Sequence, residues 1–213
     1  MKKTKIGRLH VLTDQTIQSR YTHAELARLA IKGGADTIQL RDKNVSAGEL
    51  IKTARAVGEV CRRAGVLFVV NDRADVALAA GADGVHLGQN DLPVQAARKL
   101  LGDGMIIGGS ASTIDQAVAT ERMGADYVGF GHIYATESKV KNGFPKGPDM
   151  LRDVQAALGI PVIAIGGIDL DNIDAVVKTG AWGIAVIGAV CAQDDPALAT
   201  RRLRSRIDAA LVD

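Results

Sequence analysis

The sequence predicts an α/β fold: a (β/α)8 TIM barrel that takes residues 1–213 as one domain. Three observations predict it. First, one pattern returns along the chain: Gly34–Ala35–Asp36–Thr37–Ile38–Gln39–Leu40, Gly81–Ala82–Asp83–Gly84–Val85–His86–Leu87, Gly124–Ala125–Asp126–Tyr127–Val128–Gly129–Phe130 and, more loosely, Gly180–Ala181–Trp182–Gly183–Ile184–Ala185–Val186. Each reads as a helix closed by a left-handed glycine, a tight turn and a buried strand. Second, the intervals are too long for one strand–helix unit, and each contains a further short apolar run that can serve as a strand. Third, 47% hydrophobic residues with 24 glycines and only 3% aromatics give a core of Val, Ile, Ala and Leu. That is the composition of buried parallel strands covered by helices. A doubly wound open sheet is the alternative, but it does not require a repeat that runs to the end of the chain.

In order, Leu9–Leu12 is the first strand, and the capping-box pattern Thr22–x–x–Glu25 starts the helix behind it. The first repeat supplies the next strand. Ser46–x–x–Glu49 then opens a second helix, and Leu67–Val70 follows as a strand ending abruptly in Asn71–Asp72–Arg73. The second repeat ends in Gly88–Gln89–Asn90–Asp91, with Pro93 where a first helical turn tolerates proline. Met105–Gly108 is the next strand and Thr113–x–x–Gln116 another helix start. The third repeat, the run Pro161–Ile165 and the fourth repeat complete eight strands. Pro196 opens a terminal helix, whose Arg201, Arg202, Arg204 and Arg206 read as a solvated face near its carboxyl end. No linker or low-complexity segment interrupts the pattern.

The totals exclude several classes. Lys and Arg number 26 against 24 Asp and Glu, so the formal charge is +2, too balanced for a nucleic-acid protein. Cys61 and Cys191 are far apart and in no CxxC pair, which fits a reducing compartment and gives no zinc or disulfide framework. The basic start Met1–Lys5 is followed by too short an apolar run for a signal peptide. No stretch approaches the roughly 18–20 apolar residues of a membrane helix. The expectation is a cytoplasmic protein without nucleic-acid or membrane partners. Whether it forms a homo-oligomer is left open.

In a barrel of this kind the chemistry sits at the carboxyl ends of the strands. Asp72 and Asp91 follow neighbouring strands and can together hold one Mg2+, which takes one or two carboxylates plus phosphate oxygens. Each can equally be a helix N-cap, since a helical pattern follows both. Arg41, Lys43 and Lys139 bring cations to the same face, with Gln39 two residues from Arg41 and on the same side of its strand. With a metal ion they suit a diphosphate; the alternative is ion pairing with Asp42 or Glu137. Gly166–Gly167 and Gly188–Ala189 follow the last two strands, where barrels habitually hold a phosphate on backbone N–H groups. One end of such a site suits a diphosphate and the other a monophosphate.

These residues resemble the thiamine-phosphate synthase (thiamine-phosphate pyrophosphorylase) family along essentially the whole chain. The resemblance rests on Gln39–Lys43, Val70–Asp75, Asp83–Asp91, Ile107–Ser110, Gly131–Lys139 and Ile165–Ile168. It implies a transferase of thiamine biosynthesis that joins hydroxymethylpyrimidine diphosphate to thiazole phosphate, or its carboxylate, with magnesium-assisted loss of pyrophosphate. It further implies that Gln39, Arg41, Lys43, Asn71 and Lys139 hold the diphosphate substrate, Asp72 and Asp91 the Mg2+, and Ser110 the pyrimidine. Thr136, Ser138, Gly167, Ile187 and Gly188 would line the thiazole phosphate site, and Arg41, Lys43, Ser110 and Lys139 would act most directly on the reaction. The chain departs from the family's form at Ala135 and Ser138, at Gly188, where the family often has serine, and after Lys139. A sister family on the same fold, the thiazole tautomerases, uses a histidine in a Gly–His segment like Gly131–His132. His132 is therefore the acid/base candidate of a rival reading, although that reaction has no use for the carboxylate–cation group. A non-catalytic phosphate-binding protein is a third reading. His10 and His86 read as pocket-lining or core histidines.

Overall fold

A computed structural model of the chain describes residues 6–136 and 144–210. Eight strands form a closed barrel in sequence order, every neighbouring pair parallel, and the eighth pairs with the first. The closure removes the open-sheet alternative. The strands are β1 (Leu9–Thr13), β2 (Thr37–Leu40), β3 (Leu67–Asn71), β4 (Gly84–Leu87), β5 (Ile106–Ala111), β6 (Tyr127–Gly131), β7 (Val162–Ile165) and β8 (Gly183–Val186). Between them lie α1 (His23–Lys32), α2 (Ala47–Ala64), α3 (Ala74–Ala80), α4 (Val94–Leu101), α5 (Ile114–Arg122), α6 (Gly147–Ala157) and α7 (Ile173–Val177). A short α8 (Gly188–Cys191) and a terminal α9 (Pro196–Ala209) follow β8.

The helix starts follow their chemistry. Thr22 and Ser46 each accept from the N–H three residues on, while Glu25 and Glu49 bond back to the cap, so both capping boxes form. Thr113 caps α5 alone, because the Gln116 amide oxygen accepts from Ser112 instead. Pro196 sits in the first turn of α9, whereas Pro93 is the N-cap of α4, one step earlier than expected. The glycines that open the four repeats, Gly34, Gly81, Gly124 and Gly180, all have positive φ, between 65° and 100°, as a helix-to-strand reversal demands.

The aspartates of the repeat have a common function. Asp36, Asp83 and Asp126 donate backbone N–H groups to Leu9, Phe68 and Ile107 at the entrances of β1, β3 and β5. Their carboxylates accept the N–H groups of those same residues, at 2.8, 2.8 and 2.7 Å. β2, β4 and β6 are thus each locked to the odd-numbered strand before them. The fourth repeat has Trp182 in this place. Its indole N–H donates to Ile6 O at 2.9 Å, and its carbonyl accepts from Arg8, whose guanidinium lies 4.2 Å from the ring centroid. That joint ties β8 to the entrance of β1.

The main apolar core lies between strands and helices, built on residues such as Leu9, Ile38, Val70, Val85, Ile107, Phe130 and Ala164. Inside the barrel the apolar cluster is small: Ile6, Leu12, Ile106, Tyr127, Ile163 and Ala185. Rings of His10, Tyr127 and His86 fill space that branched aliphatics usually occupy, with centroids 5.6 and 5.5 Å apart. Gly108 makes this possible, since a Cβ there would lie 2.1 Å from Tyr127 Cζ. The same fact explains why β5 extends past the expected Met105–Gly108: two glycines masked a continuing strand, and Ser110 sits within it.

Candidate active site

The carboxyl ends of the strands surround a cavity of about 410 Å³. Among the expected site residues, Gln39, Arg41, Asn71, Ser110, Thr136, Gly167, Ile187 and Gly188 line it, as does His132. Ser138 and Lys139 lie outside the described residues, as do Glu137 and most of the segment after Lys139.

Lys43, Asp72 and Asp91 are not among the residues lining the cavity but adjoin Asn71, which is: Lys43 Nζ stands 2.9 Å from Asp72 Oδ2, and the Asp91 carboxyl lies close enough to Asp72 for the two to interact. Burial pushes the Asp91 carboxyl above its ordinary range, and the neighbouring Asp72 pushes it further, against opposing pulls from the Gly88 N–H and, more weakly, Lys43. The Gly88 N–H donates to Asp91 Oδ2 at 2.6 Å and fixes that carboxylate. Asp72 has φ of 65°, the left-handed region that a non-glycine residue enters only under local constraint. Neither aspartate is an N-cap: those positions belong to Arg73 and Pro93. Two carboxylates crowded so closely that one raises the other's pKa form a donor set for a divalent cation. Among the described residues no group of three or more His, Cys, Asp or Glu is gathered. Two carboxylates with remaining positions left to phosphate oxygens and water fit Mg2+ chemistry, and Asp72 and Asp91 are the residues that would hold it.

Arg41 is not paired with its sequence neighbour Asp42. Its guanidinium bonds Asp14, a carboxylate 1% exposed at the end of β1, whose other oxygen accepts from Thr16 N–H and Oγ at 2.9 and 2.6 Å. Asp42 turns instead to His23 Nε2, 3.3 Å away. Asp14 follows directly on β1, and such a strand-end position is legible in the sequence, but nothing local names its partner. Gln39 is buried, and its Oε1 finds no partner among the described residues.

Ser110 Oγ lies 2.9 Å from His86 Nε2, and His86 Nδ1 lies 3.0 Å from the Tyr127 hydroxyl. The Gln89 amide donates to the Ser110 carbonyl. His86 and His10 both line the cavity, as expected.

Opposite, the turn Gly166–Gly167 has φ of 101° and 67° and lies against the segment after β6. A Cβ on Gly166 would sit 2.5 Å from His132 Cβ, and one on Gly167 2.3 Å from Ala135 O. Asn172 Nδ2 donates to Gly167 O at 2.8 Å and pins the turn. Gly188 begins the four-residue α8 with Ile187 as N-cap. A glycine turn after β7 with a short extra helix after β8 is the usual barrel arrangement for a phosphate. His132 is 6% exposed, and its carbonyl accepts from Lys146 N–H at 2.9 Å.

Residues 9–190 match the family model described as thiamine monophosphate synthase. The chain is 50% identical over 206 residues to the thiamine-phosphate synthase of Salinibacter ruber, covering 97% of this chain and 91% of that protein. It is 49% identical over 199 residues to that of Methanocella arvoryzae, covering 93% and 94%. Among solved structures, thiamine phosphate pyrophosphorylase from Pyrococcus furiosus superposes with a TM-score of 0.87 at 39% identity, covering 96% of each chain.

Proposed function

Because this chain belongs to the thiamine monophosphate synthase family, we infer that its cavity divides that family's transferase reaction between two phosphate-binding ends. The reaction forms thiamine phosphate, and the substrates are a pyrimidine diphosphate and a thiazole phosphate. One observation carries the division: Gln39, Arg41 and Asn71, the last next in the chain to the Asp72 that pairs with Lys43, and the glycine turns Gly166–Gly167 and Gly188 line one cavity. Arg41 and Lys43, joined by Lys139, hold the diphosphate oxygens, with Gln39 and Asn71 as neutral donors. Ser110 holds the pyrimidine. Backbone amides of Gly167 and Gly188, beside Ile187 and the hydroxyls of Thr136 and Ser138, hold the thiazole phosphate.

No side chain acts as nucleophile. The carbon–oxygen bond to the diphosphate breaks, pyrophosphate leaves with the electron pair, and the thiazole nitrogen adds to the ring-stabilised carbocation. The fixed cations stabilise negative charge as it develops on the leaving group. Apolar walls from Ile163, Ile165 and Ile187 keep water away from the cation. Mg2+ held by Asp72 and Asp91 would add charge neutralisation of the pyrophosphate.

The test is to incubate the purified protein with hydroxymethylpyrimidine diphosphate, thiazole phosphate and MgCl2, and to follow thiamine phosphate and pyrophosphate. Equal formation of both, abolished by EDTA and restored by excess MgCl2, is expected. Turnover unchanged by EDTA would remove the metal from the reading, and folded protein without product would remove the substrate pair.

A further inference from the structure

We propose that His86 is a positioning residue for this reaction, held by Tyr127 in the tautomer that makes the Ser110 hydroxyl a hydrogen-bond donor toward the pyrimidine. The inference rests on the reading that Ser110 faces the pyrimidine substrate. The chain of bonds can be given a direction. Tyr127 is 1% exposed, and the partner of its hydroxyl among the described residues is His86 Nδ1, at 3.0 Å. A phenol always carries a proton to donate, and burial raises the pKa of this one, so it stays protonated. If His86 donated to it instead, the phenolic hydrogen would be left in the barrel interior without an acceptor among the described residues, an arrangement that buried groups avoid. Tyr127 therefore donates, and His86 Nδ1 accepts.

The neutral imidazole must then carry its proton on Nε2. That nitrogen is 2.9 Å from Ser110 Oγ, so the histidine donates and the serine accepts. The hydroxyl hydrogen of Ser110 is turned away from His86 and toward the cavity that Ser110 lines. An acceptor on the ligand, such as a pyrimidine ring nitrogen, meets a donor whose polarity is already set.

The mount is rigid. A Cβ on Gly129 would lie 2.8 Å from His86 Cε1, and one on Gly108 2.1 Å from Tyr127 Cζ. The two rings lie 5.5 Å apart and His10 sits edge-on against Tyr127 at 5.6 Å, so the phenol is packed between two imidazoles. The second nitrogen of a functional histidine commonly sets its tautomer in this way.

Two measurements test the proposal. Long-range 1H–15N spectra of the 15N-histidine-labelled wild-type protein without substrates read the tautomer directly. The expected result is His86 protonated on Nε2 with Nδ1 unprotonated; a proton on Nδ1 overturns the proposal. Steady-state kinetics of Tyr127→Phe follow. KM for the pyrimidine diphosphate should rise about tenfold, the size of one hydrogen bond, while KM for the thiazole phosphate stays unchanged and the His86 signals broaden into a tautomer mixture. Unchanged pyrimidine KM with a retained Nε2–H tautomer overturns it, as does an equal rise in both KM values, which marks a general structural role. His86→Gln, whose amide can still donate to Ser110, should be less impaired than His86→Leu; equal impairment overturns the donor role. If the wild-type protein forms no thiamine phosphate, the functional reading fails, whereas the tautomer measurement still decides the direction of the bonds.

Discussion

Arg41 presents its guanidinium to the cavity because Asp14, buried at the end of β1, holds it there. Asp14→Asn keeps the shape and removes the charge. Loss of a charge-assisted bond should raise KM for the pyrimidine diphosphate about tenfold or more, with little change for the thiazole phosphate; separate titration of the two substrates measures the difference. Asp91→Ala removes one of the two carboxylates that face one another beside Lys43. The MgCl2 concentration for half-maximal rate should rise roughly tenfold or more, and rates across a MgCl2 series would detect it; an unchanged requirement removes Asp91 from the metal site. At this scale the sequence was informative about which polar groups gather at the strand ends, as Lys43, Asp72 and Asp91 do. It could not name partners. Arg41 and Asp42 are chain neighbours that diverge, one to Asp14 and the other to His23. A lone aromatic in an apolar run, as Tyr127 is, reads as packing in the sequence, and only the register of β4 against β5 and β6 brings it to His86.

Strand entrances are the structural end of this barrel, as its carboxyl ends are the chemical one. Asp126 shows the device fully: its carboxylate accepts from Ile107 N–H at 2.7 Å and from Arg98 at 2.6 Å. Asp126→Ala leaves the β5 entrance N–H without this acceptor. Since the side chain is partly exposed, the cost should be about 1 kcal/mol, or a fall in Tm of ~3 °C, with kcat and both KM values unchanged. Calorimetry and kinetics on one preparation check both halves. The repeat was legible from its glycines, because a left-handed turn leaves a mark on composition. The purpose of its aspartates was not, since each acts on a strand one unit earlier. β5 was read short for a related reason: Gly108 and Gly109 satisfy the needs of Tyr127 and Thr120, not those of their own strand.

For the whole molecule, the histidines inside and beside the barrel set how it responds to acid. Burial lowers the His10 pKa to about 4, partly offset by Asp36, and burial lowers that of His23 as well, against Asp42 and Asp14. With folded values below the unfolded value near 6.5, the unfolded chain binds more protons in this window. Stability contributed by these neutral histidines is present above pH about 6.5 and is lost as pH falls toward 4, by roughly 3 kcal/mol from His10. Urea unfolding at pH 7 and pH 4.5 should show the loss, and His10→Gln should show a smaller one. The barrel itself was legible because its repeat persists to the last strand, but how the ring closes was not. Three strand pairs, β1–β2, β3–β4 and β5–β6, are fastened by aspartates 15 to 28 positions from their partners. The last joint is made by Trp182 with Ile6 and Arg8, 176 and 174 positions away. Local contacts form early and distant ones late, so the circle behaves as a necklace of self-fastened segments with one clasp. Weakening Trp182 would loosen that clasp while each segment stayed fastened.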